Sequence, residues 1–168
     1  MSTLGSNVAA VATGWDHTCA LLKDGAVSCW GNNDLGQIGD GSHTPQFVPV
    51  AVELLGSARQ IAASDSTCAV LVSGDLYCWG QGMFGVLGNG SNLPRYSPTK
   101  VLHIDDRRIE AVDVAYWHAC AIYAENKLLC WGDNYKGQLG NPCVGSSAVP
   151  REMQGTPVSY THLRAHET

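Results

Sequence analysis

A segment that recurs three times constrains the fold of this chain more than any other feature of its sequence. In each copy two cysteines have nine residues between them, the second cysteine is followed by Trp-Gly, and a glycine-spaced loop comes next. The copies begin at Cys19, Cys68 and Cys120, which lie 49 and 52 residues apart. A period of about fifty residues is typical of repeat architectures, in which each unit buries its apolar face against the next. The chain is therefore predicted to stack three similar units.

Each copy predicts four short β-strands and no helix. In the first copy we predict strands at residues 8–12, 17–22 and 26–30, followed after a loop by an extended segment at 47–50 that contains a proline. Proline suits an edge strand, where its missing N–H removes no ladder hydrogen bond. The equivalent extended segments are residues 96–99 and 148–151, and the later copies start with strands at 59–63 and 109–114. Four antiparallel strands repeated at this period predict the blades of an all-β β-propeller.

The segments between paired cysteines predict tight hairpins. A three-residue hairpin loop commonly ends in a left-handed residue, which favours Gly or Asn, and the copies have Gly25, Gly74 and Asn126 at this position. Residues that face each other on antiparallel strands lie ~4.5 to 5.5 Å apart at Cα, within the range that a disulfide tolerates. The pairs that such hairpins place face to face are Cys19 with Cys29, Cys68 with Cys78, and Cys120 with Cys130.

Two interpretations of these six cysteines remain open. They form disulfides in an oxidising compartment, or they stay reduced as small core residues. Three coincident pairs favour disulfides, each of which closes a short loop and stabilises the fold by at most about 2.8 kcal/mol on the chain-entropy model. The seventh cysteine, Cys143, has no evident partner in the sequence.

The loop pattern supports a family resemblance. Trp-Gly-x-Asn-x-x-Gly-Gln-(Ile/Leu)-Gly, followed by Val-Pro-Val and then by His-(Thr/Ala)-Cys-Ala, resembles the regulator of chromosome condensation repeat family over residues 8–155. The resemblance implies a seven-bladed β-propeller, of which this chain holds about three blades, an open arc of a larger ring. The second copy departs from the pattern at Ser66, Gly82 and Val86, where the other copies have His, Asn and Gln.

The repeat register ends before the C-terminus. We assign residues 1–157 to the partial propeller and residues 158–168 to a non-native tail, because VSYTHLRAHET shares nothing with the repeats and resembles a translated sequencing adapter. The natural protein is therefore expected to continue past Pro157, and Met1 is expected to be an equally arbitrary start, as in a metagenomic fragment.

Composition and charge limit the classes of partner. The 168 residues carry a formal net charge of -5 and no cluster of Lys or Arg, which argues against binding to nucleic acid or to an anionic membrane. No apolar run reaches bilayer-spanning length, and residues 1–12 lack the pattern of a signal peptide. The paired cysteines favour an extracellular, periplasmic or cell-surface location, and the alternative is a cytoplasmic one.

Two motifs suggest metal or cofactor chemistry, and neither fits its context. His17-x-Cys19 and His118-x-Cys120 place His and Cys on one strand face, but Ser66 breaks the pattern and the cysteine spacing is not that of a zinc site. We predict that both histidines are structural and bond a neighbouring turn. The segment 80–85 matches a dinucleotide fingerprint, yet the glycines and proline that follow do not favour the helix that such a site needs.

No catalytic motif is present in the sequence. It contains no nucleophile elbow, no HExxH and no carboxylate pair that recurs between copies, so we predict no enzyme activity, no cofactor and no metal. Asn89-Gly90-Ser91 is a formal N-glycosylation sequence on a loop. The tryptophans that recur in register, Trp30, Trp79 and Trp131, are predicted to pack between blades, whereas Trp15 and Trp117 are predicted to be more exposed.

One end of the propeller is predicted to bind the partner. Strands alternate in direction, so the turn before each cysteine strand and the loop after each Trp-Gly emerge together, and positions that vary between copies there should face outward. These positions are rich in aromatic residues and Met, which dominate binding hot spots; the alternative is that they vary without constraint. The predicted partner-binding residues are Trp15, Asp16, Asp34, Leu35, Met83, Phe84, Tyr116, Trp117, Tyr135 and Lys136.

The expected function is that of a binding protein. We expect a non-enzymatic, exported propeller module that binds a protein or a glycan through this end. The alternatives are a guanine-nucleotide exchange factor for a small GTPase, which the family's namesake suggests, and a secreted propeller-type enzyme inhibitor. The acidic charge, the absence of a basic arm and the cysteine pairs argue against the exchange factor.

Overall fold

The protein forms three four-stranded antiparallel sheets, one for each sequence repeat. The computed structural model describes residues 4–104, 106–142 and 145–153; Cys143 and the predicted tail at 158–168 lie outside these ranges. Within them the chain is almost entirely strand, loop and turn, with a single 3₁₀ turn at Met83–Gly85. The prediction of an all-β fold built from four-stranded blades is confirmed.

The strands follow one another across each sheet in chain order. The first blade consists of β1 Val8–Thr13, β2 His17–Leu22, β3 Val27–Gly31 and β4 Gln46–Val52. The second consists of β5 Ala58–Ala63, β6 Ser66–Leu71, β7 Leu76–Gly80 and β8 Arg95–Lys100. The third consists of β9 Ile109–Val114, β10 His118–Tyr123, β11 Lys127–Gly132 and β12 Ser147–Glu152.

The hairpins between the second and third strands have the predicted loops in the first two blades. Gly25 and Gly74 adopt φ of 87° and 95°, the left-handed conformation that glycine tolerates best. The third hairpin differs, because Glu125 and Asn126 both have φ of 61° and the amide of Lys127 bonds the carbonyl of Ala124 at 3.4 Å. Two consecutive left-handed residues are the signature of a type I′ turn, which the triplet alone did not predict.

All three predicted cysteine pairs are disulfides in the structure. Each joins the second strand of a blade to the third, with directly opposed Cα atoms 4.1 Å apart. Five of the six half-cystines are at most 1% exposed, and Cys120 is half-buried. The cysteine pairing predicted from the length of the hairpin loops is thereby confirmed.

Blades pack against each other through a tryptophan and the loop of the preceding blade. Trp79 and Trp131 are 0% exposed, and their indole N–H groups donate to the carbonyls of Gln37 at 2.9 Å and Val86 at 2.7 Å. Gln37 and Val86 occupy equivalent positions in successive loops, so the same bond forms at both junctions. The two core clusters lie at these junctions, one between blades one and two and one between blades two and three.

Trp30 departs from the prediction made for the three recurring tryptophans. It is only half-buried, because no loop among the described residues covers it as the loops at Gln37 and Val86 cover Trp79 and Trp131. At the opposite end of the arc the loop of the third blade is uncovered. Gly36 lies so close to the next blade's outer strand that a Cβ would approach the Tyr96 Cα to 2.7 Å, whereas its counterpart Gly137 has nothing within 4 Å.

Among the described residues, none of the helical turns has the length and apolar character needed to cross a bilayer.

Candidate binding surface at the loop end

Turns and long loops meet at one end of the three blades, which we call the loop end. At this end the turn between the first and second strands receives a hydrogen bond from the residue after Trp-Gly. Asn32 N–H donates to Asp16 O at 2.8 Å, and Asp133 N–H donates to Trp117 O at 2.8 Å. The second blade repeats the bond, since Gln81 N–H donates to the Asp65 carbonyl at 3.2 Å. The surfaces that strand direction predicted to emerge together are therefore in contact.

A buried asparagine holds the loop of the first blade. Asn33 is 0% exposed; its Oδ1 accepts from Ile38 N–H at 3.0 Å and its Nδ2 donates to Asp40 Oδ1 at 3.1 Å. Asn134 does the same in the third blade, bonding Leu139 N–H and Asn141 Oδ1. The recurring glycines of the loop are thus held in place by a buried side chain, and the residues between them are free to differ at the surface.

The second loop replaces this asparagine with Gly82 and takes another path. A Cβ on Gly82 would overlap the carbonyl of Leu93, so the backbone itself fills the space of the missing side chain. The loop then makes the 3₁₀ turn Met83–Gly85, in which Phe84 has φ 57° and ψ 11°. A left-handed conformation is strained for a bulky residue and often marks a functional site. No long helix follows segment 80–85 in this described region, so the dinucleotide geometry is not formed.

Phe84 is the centre of an aromatic cluster that joins the second and third blades. Its ring lies 5.2 Å from Trp117 and 6.1 Å from Tyr135, centroid to centroid. Tyr116 extends the cluster, with its ring 4.9 Å from that of Trp117. Tyr135 is 64% exposed, and Tyr116 and Trp117 are 45% and 39% exposed. Four of the predicted partner-binding residues therefore form one solvent-facing group.

The other predicted residues lie at the same end but outside these ring contacts. Trp15 is 79% exposed and Met83 51% exposed, and Asp16, Asp34 and Lys136 are exposed as well. Leu35 and Phe84 are half-buried rather than fully outward. Phe84 is half-buried because it packs on its aromatic neighbours. Trp15 and Trp117 are more exposed than Trp79 and Trp131, the recurring tryptophans at the two covered junctions, as predicted.

Two carboxylates extend the surface toward the first blade. Asp65 accepts hydrogen bonds from Gln81 Nε2 at 3.2 Å and from the Tyr116 hydroxyl. Burial raises the pKa of Asp65, the charge of nearby Asp16 raises it further, and the hydrogen bonds from Tyr116 and Gln81 oppose the shift. Tyr116 thus connects the carboxylates to the aromatic cluster.

His17 is structural, but its partner is not the turn that the sequence predicted. It is 4% exposed, and its Nε2 lies 2.8 Å from Thr67 Oγ1 on β6 of the next blade. Thr67 donates to the same Gln37 carbonyl that accepts from Trp79, so the imidazole of His17 is the donor to Thr67. This chain of hydrogen bonds joins the first blade to the second. Burial lowers the pKa of His17 to about 4, against a smaller opposing effect of Asp16. The described residues contain no group of three His, Cys, Asp or Glu suited to a metal.

The second junction lacks this hydrogen-bond chain. Ser66 stands where the first blade has His17, and Ala119 stands where the second has Thr67. Ser66 is 0% exposed and its Oγ has no hydrogen-bond partner. The sequence showed that Ser66 breaks the pattern; it did not show that Thr67 is the partner of the histidine.

Fold and surface together define a class of protein: a repeat-built β-propeller whose loops present an aromatic surface. The chain belongs to the Regulator of chromosome condensation (RCC1) repeat family. Residues 24–71, 73–122 and 125–163 match one model of that repeat, and residues 8–37 and 109–138 match a second.

Individual proteins agree with this assignment. The chain is 34% identical over 135 residues to the ultraviolet-B receptor UVR8 of Arabidopsis thaliana, an alignment that spans 80% of this chain and 20% of UVR8. Human WBSCR16 superposes with a TM-score of 0.82 at 23% identity, covering 92% of this chain and 39% of that one. Yeast RCC1 (Prp20), in complex with Kap60, gives 0.77 at 24% identity, covering 89% and 37%. The chain thus spans a fifth to two fifths of these relatives, and the solved structures show the shared fold.

Proposed function

We propose that this protein is a non-enzymatic binding module and that its loop end engages a protein partner. The observation that carries the proposal is the aromatic cluster of Phe84, Tyr116, Trp117 and Tyr135. Large aromatic side chains supply much of the binding free energy of protein interfaces when they are buried by a partner. Here their rings are held against each other and remain solvent-facing across two blades.

The backbone at Phe84 supports a binding role. Its left-handed conformation positions the ring between Trp117 and Tyr135, and a glycine at this position would relieve the strain. The loops are also rigidly held, because Asn134 and the inter-blade bond of Trp131 fix the backbone beneath them. A surface that is already ordered loses less conformational entropy on binding.

Relatives support a protein as the partner. The structure of yeast RCC1 contains bound Kap60, and a structure of Prp20p from Saccharomyces cerevisiae is described together with its binding to Gsp1p and histones. These partners belong to the yeast protein. For this chain they support protein binding as the general activity, with a glycan ligand and GTPase exchange as the alternatives to be tested.

Export is part of the proposal. Three disulfides in a chain of this size are typical of an oxidising compartment, whereas cytosolic thiols are kept reduced. We therefore place the binding event outside the cytoplasm, on the cell surface, in the periplasm or in the medium.

The experiment is a comparative capture with matched variants. The wild-type chain and a loop-end variant are immobilised and exposed to the extracellular fraction of the organism that makes the protein and to a glycan array. The variant carries Ala in place of Trp15, Phe84, Trp117 and Tyr135. Retained proteins are quantified by mass spectrometry. The variant should lose at least ~90% of specific retention, since hot-spot truncations each weaken binding by tenfold or more.

Two controls separate the loop end from general stickiness. Phe47→Ala removes a ring that is 94% exposed on the outer strand β4, and a triple change of Asp24, Ser73 and Glu125 to Ala alters the opposite end. Equal losses from either control and from the loop-end variant would refute the proposal. Binding only on the glycan array, or accelerated nucleotide release from a small GTPase, would favour the respective alternative instead.

A further inference from the structure

The carboxylates and aromatic rings of the loop end form one continuous surface, which suggests the chemistry of its partner. The turn of Asp16 lies beside the turn of Asp65, since Trp15 N–H donates to the Ser64 carbonyl at 3.2 Å. Tyr116 interacts with Asp65 and its ring contacts Trp117, and the Phe84 ring lies between Trp117 and Tyr135. We call this surface the acidic-aromatic strip. Its members, in order from the first blade to the third, are Asp16, Asp65, Tyr116, Trp117, Phe84 and Tyr135.

Hydrogen-bond acceptors are in excess at the acidic end of the strip. Neither Asp16 nor Asp65 has a cationic side chain within salt-bridge distance among the described residues, where the ion pairs are Lys100 with Asp75 and Arg107 with Glu152. Gln81, which is 6% exposed and donates through Nε2 to Asp65, has an Oε1 without a hydrogen-bond partner. Two carboxylates that repel each other without a cation at salt-bridge distance favour a ligand that brings donors and positive charge.

The aromatic end favours a particular kind of cation. A guanidinium group is planar, stacks on aromatic faces, and forms paired hydrogen bonds with a carboxylate, whereas an ammonium group acts as a compact point charge. Trp117 lies beside Tyr116, which bonds Asp65, so a ligand there meets a ring face and a carboxylate side by side. Lys136 is exposed and follows Tyr135 in the sequence, at the end of the strip away from Asp16 and Asp65. The net charge of -5 adds a favourable long-range field for a basic partner.

We propose that the acidic-aromatic strip binds an arginine-bearing segment of the partner protein, with guanidinium groups paired to Asp16 and Asp65 and stacked on Trp117 and Phe84. This inference rests on the proposed function and goes beyond it, because it states the chemical class of the segment that is recognised. A glycan would use the rings but would leave the carboxylates without a cation.

The test uses synthetic peptides and the full chain. An eight-residue peptide of alternating Gly and Arg is titrated by calorimetry, beside a peptide in which citrulline replaces every Arg and one in which Glu replaces it. Citrulline keeps the planar hydrogen-bonding group and removes the charge. The arginine peptide should bind at least ~10-fold more tightly than the citrulline peptide, and its affinity should fall as salt is raised.

Variants assign the binding to the strip. Asp16→Asn with Asp65→Asn should weaken the arginine peptide by about tenfold, and Trp117→Ala by about fivefold, as expected for loss of charge pairing and of cation-π contact. The matched control, Glu53→Gln with Glu125→Gln, removes the same charge from exposed residues at the other end and should leave affinity within twofold. Far-ultraviolet circular dichroism and counting of free thiols confirm that each variant folds.

Distinct outcomes separate this inference from the proposed function. Equal affinity for the arginine and citrulline peptides, or equal losses from the two charge variants, would overturn the arginine assignment; sensitivity to Trp117→Ala would still support binding at the loop end. Absence of binding by every peptide would also overturn the assignment, and the capture experiment with alanine variants would then decide the proposed function on its own.

Discussion

The imidazole of His17 occupies the space that a side chain on Gly14 would need. A Cβ built on Gly14 overlaps the ring atoms Cε1 and Nδ1 of His17 and the carbonyl of Ser64. The second and third blades have Ala63 and Ala115 at the position of Gly14. The bond from His17 to Thr67 therefore requires glycine three residues earlier, and only the first blade has this pair.

Gly14→Ala should destabilise the fold by about 2 kcal/mol. The new methyl group displaces the ring, and Thr67 and His17 then lose their buried hydrogen bond. The denaturation midpoint in urea measures the effect. Gly56→Ala is the control, because a Cβ there meets Leu71 Cδ1 at 3.4 Å, an ordinary contact, and the midpoint should hardly move. Equal shifts from both changes would contradict the steric argument.

Stability should fall on acidification because of His17. Its pKa is about 4 in the folded chain and 6.5 in a free side chain, so the unfolded chain binds this proton first as pH falls. The full stability is present above pH 6.5, and about 3 kcal/mol is lost between pH 6.5 and 4. His17→Gln retains a donor for Thr67 and should remove this part of the pH dependence. Identical profiles for wild type and variant would show that His17 does not titrate in this way.

The second blade junction can be rebuilt on the pattern of the first. Ser66→His alone should destabilise the protein, because Ala63 has the Cβ that Gly14 lacks. Ser66→His combined with Ala63→Gly and Ala119→Thr should be more stable than Ser66→His alone by at least ~1 kcal/mol, as a buried hydrogen bond is regained. The denaturation midpoints of the two variants are compared. A triple variant no more stable than Ser66→His alone would show that the hydrogen bond of the first junction cannot be reproduced at the second.

Sequence periodicity predicts the strands, the hairpins and the cysteine pairs, because all three depend on contacts within one blade. Cys68 faces Cys78 as a consequence of loop length alone. The partner of His17 was assigned wrongly because it belongs to the next blade, and the distance between blades is set by packing that no single repeat encodes. Contacts of Phe84 with Trp117 and Tyr135 were missed for the same reason, although the exposure of Trp117 and Tyr135 was predicted.

Asn89 should remain unglycosylated despite its sequence motif. Its Oδ1 accepts from Ser91 N–H at 3.1 Å, and its Nδ2, the atom that would carry the glycan, is buried without a hydrogen-bond partner. Secretion from a glycosylating host should give an intact mass that glycosidase treatment does not change. Ala9→Thr creates a motif at exposed Asn7 and serves as the positive control. A glycan on Asn89 would mean that the loop opens before or during folding.

The two end faces of the three-blade arc should make the isolated chain associate. At the covered junctions Trp79 and Trp131 are fully buried, and each indole donates to a carbonyl of the preceding loop. Trp30 is half-buried in the first blade, and Gly137 of the third loop meets no atom within 4 Å, so each end has half of such a junction. Unpaired apolar faces promote association unless another blade covers them.

Sedimentation velocity and binding of an apolar dye should reveal this association in the isolated 168-residue chain. Both signals should rise with concentration, and Trp30→Ala should reduce them because it removes the ring that a further loop would cover. Trp15→Ala is the control, because it removes a ring that is 79% exposed at the loop end rather than at a blade face. It should change neither signal by more than about a fifth if association occurs through the face that contains Trp30. A monodisperse monomer without dye binding would show that three blades satisfy their own faces, and the open-arc interpretation would then be wrong.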